Sequence, residues 1–144
     1  MNAFSAFEIS AAGMSVERLR LDVSAINLAN ANTTRAPDGT LFRPLRVTAS
    51  TIQPPFDTLM DRLMFAGNLG GDAEVRAMDV EPRRVFDPGH PDADERGFVA
   101  YPAVNSVSEM IQLISITRAY EANVRALNAA KSMAQKALDI GSDR

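Results

Sequence analysis

The 144-residue sequence has no cysteine and no tryptophan, one histidine, and only two lysines beside thirteen arginines. Without cysteine, disulfides, thiolate nucleophiles and the usual structural zinc sites are excluded. The 15 basic residues are scattered among 18 acidic ones for a net charge of −3, so no basic run exists to attract phosphate, and nucleic acid is not an expected partner. No stretch approaches the ~20 apolar residues of a membrane span, so the chain is not expected to span a membrane. The opening residues, MNAFSAFEIS, carry neither a basic n-region nor a continuous apolar core, and are not expected to act as a cleaved secretory signal. The patterns G-x-S-x-G, G-x-G-x-x-G and G-x-x-x-x-G-K-[ST] are all missing, so the expectation is a protein that is not an enzyme and needs no cofactor, with no catalytic and no metal-binding residue to name.

What is present is helical periodicity at both ends. Phe4, Phe7, Ala11, Met14, Arg18, Leu21, Ala25 and Leu28 follow one another at alternating spacings of three and four, a heptad seam with one polar member. A second row, Val16, Leu19, Val23 and Ile26, lies roughly 200° around the same helix. Ser5 and Glu8 have the spacing of a capping box, with Phe4 and Ile9 placed as a hydrophobic staple. The carboxyl-terminal helix repeats the design: Ser106 and Glu109 as a capping box, then a seam of Met110, Leu113, Thr117, Tyr120, Val124, Leu127, Lys131, Ala134 and Leu138. Val107, Ile111 and Ile114 make a shorter second row, and Gly141 is placed as a C-terminal stop. One antiparallel hairpin can cover only one face of each helix, so the pattern asks for neighbours.

Residues 35–103 hold all eight prolines and six of the eight glycines, which points to turns and short strands. Strands are predicted at Leu41–Thr51, Glu74–Val80 and Phe98–Tyr101, a turn at Pro37-Asp38-Gly39, and one or two helical turns at Thr58–Phe65. The predicted fold is mainly α with a small irregular or β middle, its two terminal helices packed as an antiparallel coiled-coil-like pair. The segments are 1–34 (helix and Asn-rich turn), 35–103 (middle) and 104–144 (helix).

The only histidine, His90, sits among Asp87, Asp92, Asp94 and Glu95, but the spacing is not that of a calcium loop, and Pro88 and Pro91 mark the stretch as turn scaffolding. Amides recur in the helices: Asn30 and Asn32 suit a helix end, whereas Asn27 and Asn123 are placed to fix register between helices through specific hydrogen bonds. The expected assembly interface is Phe7, Met14, Leu21, Leu28, Val16, Leu19, Val23, Ile26, Met110, Leu113, Tyr120, Val124, Leu127 and Leu138. Asn27, Asn30 and Asn123 are the expected register residues.

The run Val23-Ser24-Ala25-Ile26-Asn27-Leu28-Ala29-Asn30-Ala31-Asn32-Thr33 resembles the S-x-N-L-A-N-x-x-T signature of flagellar rod and hook proteins. Arg118-Ala119-Tyr120-Glu121-Ala122-Asn123-Val124, with Ala126–Met133 and Lys136–Gly141, is similar to the carboxyl-terminal helix of that family. The Asp87–Glu95 turn, with Gly97-Phe98-Val99 and Tyr101-Pro102, resembles the central motif of a proximal-rod member, as do Pro37-Asp38-Gly39 and Phe42-Arg43. The resemblance implies a structural subunit of the flagellar basal-body rod, exported through the flagellar type III apparatus. It would polymerise through its terminal helices with copies of itself and other rod proteins, forming a drive shaft that carries torque across the periplasm. Read from the residues alone, a soluble helical adaptor or chaperone-like module holding a partner helix remains the alternative.

Overall fold

The computed structural model describes residues 3–36, 39–49 and 73–142. In chain order the elements are helix α1 (Ala3–Ala29), strands β1 (Leu45–Ala49), β2 (Ala73–Ala77), β3 (Arg83–Phe86) and β4 (Phe98–Tyr101), and helix α2 (Ser106–Ser142). β1 pairs with β2, and β3 with β4, in two separate two-stranded sheets. The molecule is thus mainly helical with a small β middle, and the helices pack together as an antiparallel pair.

Two compact units divide these elements. In one, α1 up to Leu19 groups with α2 from Ile116 onward. In the other, α1 from Arg20 and the chain that follows it through Thr48 group with residues Val75–Ser115, which include β3, β4 and the start of α2.

The helix ends differ from the predicted boxes. α1 already runs from Ala3, two residues before Ser5, which places Ser5 within the helix span and not at its start. The cap of α2 is Asn105: its Oδ1 accepts from the backbone N–H of Val107 (3.0 Å) and of Ser108 (3.2 Å). Ser106 is the first helical residue, and Glu109 turns inward instead of reaching back to the cap. α2 runs to Ser142 and so passes Gly141, the predicted stop. Asn30 does close α1, its Nδ2 donating to the Ile26 carbonyl at 2.9 Å while its Oδ1 accepts from the Thr33 hydroxyl at 3.3 Å.

In the middle, Phe98–Tyr101 forms a strand as predicted, and the other two predictions reduce to β1 and β2. β3 was not predicted; its sequence, Arg-Arg-Val-Phe, has too little apolar character to stand out. It pairs antiparallel with β4 in the register Arg83↔Tyr101, Arg84↔Ala100, Val85↔Val99 and Phe86↔Phe98. The inner face carries the fully buried Val99 and the half-buried Val85 and Tyr101, and Arg84, Phe86, Phe98 and Ala100 face outward. At the turn around position 39, the Gly39 N–H donates to the Ala36 carbonyl (2.8 Å) and the Ala36 N–H to the Thr40 carbonyl (2.9 Å). Gly39 has φ of 81°, a conformation that favours glycine. Pro37, Asp38 and the helical turns predicted at Thr58–Phe65 lie outside the described residues.

Candidate assembly surface

The inward stripe of α1 is not either apolar row. It is Ser10, Gly13, Glu17, Arg20, Ser24 and Asn27, continued by Ala31 in the following turn, again at alternating spacings of three and four. The stripe lies between the two rows, so Phe7, Met14 and Leu28 on one flank and Val16 and Leu19 on the other are half-buried, and Val23 is buried. Small residues let the helix backbone come close to its neighbour. At Gly13 a Cβ would stand 2.8 Å from Nδ2 of Asn123, so the α2 amide occupies the space that only glycine leaves open.

On α2 the predicted seam is displaced by one residue at every second position. Glu109, Ile116 and Ala130 are buried and Asn123 half-buried, where the pattern pointed to Met110, Thr117, Lys131 and Val124. Leu113, Leu127 and Ala134 are half-buried as the seam requires, and so is Val124, whereas Met110, Tyr120 and Leu138 are exposed. A polar Glu109 and a polar Asn123 on the inner stripe hide the true seam from any rule that scores apolar spacing.

Within the second unit, β1 clasps both helices. The side chain of Asn27, fully buried, pairs with the backbone of Leu45 as a neighbouring strand would: Nδ2 donates to the Leu45 carbonyl and Oδ1 accepts from its N–H, both at 2.8 Å. Its hydrogen bonds therefore fix β1 on α1, not the register of one helix on the other. The next residue, Arg46, turns to α2, donating from Nη1 to Glu109 Oε1 at 3.0 Å and to Gln112 Oε1 at 2.5 Å. Glu109 sits in the first turn of α2, where the helix dipole favours a carboxylate, and its Oε2 is buried without a protein partner.

The His90 turn is structural. Asp92 accepts from the Thr34 hydroxyl at 2.8 Å and faces Arg35 at 3.7 Å, which docks the turn on the chain leaving α1. His90 Nδ1 accepts from the Asp92 N–H at 3.1 Å. Asp94 Oδ1 accepts from the backbone N–H groups of Phe98 (2.8 Å) and Arg96 (2.9 Å), and the Phe98 bond holds its carboxyl below the ordinary range.

Among the exposed side chains are several large apolar ones. Val107, Met110, Ile111 and Ile114, at helical positions i, i+3, i+4 and i+7, are 66%, 52%, 62% and 56% exposed. Leu21 and Ile26 on α1, and Met133, Leu138 and Ile140 further along α2, are also exposed. Set beside them, the buried apolar side chains among the described residues are few and mostly small: Val23, Ala31, Pro44, Val99, Pro102, Ile116 and Ala130. No described helix is long and apolar enough to cross a membrane.

The helices thus place small and polar residues among the apolar ones of their inner side and leave a row of large aliphatic side chains exposed. The chain belongs to the FlgC family of flagellar basal-body rod proteins. It is 38% identical to the flagellar basal-body rod protein FlgC of Bacillus subtilis over 149 aligned positions, covering 98% of this chain and 99% of the relative. It is 37% identical to FlgC of Borreliella burgdorferi, covering 97% and 98% of the two chains, and 34% identical to FlgC of Escherichia coli O157:H7, covering 98% and 99%. The family model described as "Flagellar basal body rod FlgEFG protein C-terminal" matches residues 95–140, the β4 to α2 segment. These relatives give no support to the adaptor alternative.

Proposed function

We propose that the chain is a structural subunit of the flagellar rod, resident in the basal body, which polymerises with copies of itself and with other rod proteins. The observation that carries this reading is the outward aliphatic row Val107, Met110, Ile111 and Ile114, in a chain that is a near full-length relative of rod proteins. Four large side chains on one helical face, each more than half exposed, are costly to leave in water and favourable to bury, at ~1.5–3 kcal/mol each. Leu21, Ile26 and Leu138 extend the assembly surface, whereas Val23, Leu113, Val124 and Leu127 hold the chain's own helices together. Passage through the flagellar type III apparatus belongs to the same reading, as does torque transmission by the finished rod. Deleting the gene is expected to abolish flagella with growth unchanged, scored by electron microscopy and swimming; normal motility in the deletion would contradict the assignment.

A further inference from the structure

Each helix has a second stripe on the side away from its partner in the chain. On α1, Glu8, Arg18, Asp22, Ala25 and Ala29 fall on one line of alternating threes and fours, and all are exposed. On α2 the corresponding exposed line holds Ile111, Ser115, Arg118, Ala122, Arg125 and Ser132, with Ile114 beside it. These lines lie roughly half a turn from the inner ones, whose closest approach is Gly13 against Asn123. A chain whose inner faces meet cannot bring its own outer faces together.

The two outer stripes fit each other in sign and in size. Among the described residues Glu8, Arg18, Asp22, Arg118 and Lys131 have no ion-pair or hydrogen-bond partner, and Glu121 has only Arg125, one turn along at 3.7 Å. The α1 stripe is acidic on balance, with Glu8 and Asp22 against Arg18. The α2 face is basic on balance, with Arg118, Arg125 and Lys131 against Glu121. Set antiparallel with Asp22 opposite Arg118, the spacings of three and four run in step along both helices. Ala25 then meets Ser115, Ala29 meets Ile111, Arg18 lies beside Glu121 and Glu8 beside Lys131. Ile111 and Ile114 stand over alanines, so the large side chains of one helix find room on the other. The neighbouring registers fit worse. One heptad back, Asp22 falls on Ile111; one heptad further, Arg118 falls on Ala29 and Ile111 passes the end of α1. In a parallel pair the spacings fall out of step whenever Asp22 meets Arg118 or Arg125.

We propose that the outer stripe of α1 in one copy packs antiparallel on the outer stripe of α2 in the next copy, in the register that pairs Asp22 with Arg118. The contact joins two different surfaces, so it is head-to-tail and propagates from copy to copy. Charge along it selects the register and the partner, because like charges brought together at an interface are strongly unfavourable. It rests on the assembly reading above and names what covers Ile111 and Ile114 there.

The chain has no native cysteine, so introduced thiols report without background. Chains bearing Ala25→Cys and chains bearing Ser115→Cys are expressed together in cells lacking the wild-type gene, and isolated basal bodies are oxidised to form disulfides. Expected is a covalent dimer of this chain when both variants are present and none from either alone. The offset pair Ala25→Cys with Ala129→Cys is expected to give none, because position 129 lies roughly 21 Å further along α2 at about 1.5 Å per residue. Asp22→Arg added to the Ala25→Cys chain is expected to lower the dimer at least about tenfold, and Arg118→Asp added to the Ser115→Cys chain to restore it. Both positions are exposed, so neither change is expected to alter unfolding of the isolated chain. Rods that form without the dimer, an equal dimer from the offset pair, a product with a different protein, or an Asp22→Arg loss that Arg118→Asp does not restore would each overturn the proposal. Wild-type chain missing from purified basal bodies would overturn the assembly reading, and this contact with it.

Discussion

Asn27 shows what a single side chain does in this fold. It satisfies one backbone donor and one backbone acceptor of Leu45 from a fully buried position. Asn27→Ala strands both groups, each at ~1–3 kcal/mol, and a loss of roughly 2–4 kcal/mol is expected in urea unfolding followed by circular dichroism. Asn27→Asp is expected to be no rescue, because a carboxylate oxygen would face the Leu45 carbonyl where an amide N–H now donates. The sequence marked Asn27 as special without revealing its partner, since a helix pattern carries no information about a strand 18 residues away. Gly13 and Asn123 form the second residue-scale pair. Gly13→Leu is expected to cost about 1–3 kcal/mol by overpacking, and Asn123→Ala in the same chain to recover most of it. Additive effects in that double-mutant cycle would show that the two residues do not share the space.

Among elements, β1 is the clasp, reaching α1 through a backbone and α2 through a guanidinium. Arg46→Met leaves the Glu109 carboxylate buried without its cation, and a loss of ~3–5 kcal/mol is expected, toward the low end because the Arg46 side chain is 36% exposed. Replacing both partners, Arg46→Met with Glu109→Leu, is expected to restore most of the stability in the same unfolding measurement; a double variant as weak as the single one would mean that Arg46 acts by packing alone. Periodicity was enough to find both helices and their antiparallel pairing. It misplaced the seam because charge and amide groups occupy inner positions: Glu109 reads as a capping residue until Arg46 is seen beside it, and Arg46 comes from a strand with no helical signal. β3 stayed hidden for the related reason that its stability comes from cross-strand pairing with β4 and from burial of Val99, which are tertiary facts.

At the scale of the whole molecule, the polar inner seam and the aliphatic outer row are two sides of one division. Small and polar residues, together with Val23, Ile116 and the half-buried leucines, line the inner side of the helices, and the row Val107, Met110, Ile111 and Ile114 is left outward. The outer row was legible from spacing, since Val107, Ile111 and Ile114 stand on one face, but its exposure was not, because exposure depends on which face the fold takes for itself. The direct test is the double variant Ile111→Asp Ile114→Asp. Both positions are solvent-exposed, so unfolding of the isolated chain is expected to change by no more than about 0.5 kcal/mol, whereas carboxylates buried at a subunit contact would oppose assembly by several kcal/mol. In a strain lacking the wild-type gene, the account predicts a folded, expressed variant and no rods in purified basal bodies; rods of normal appearance built from that variant would contradict it.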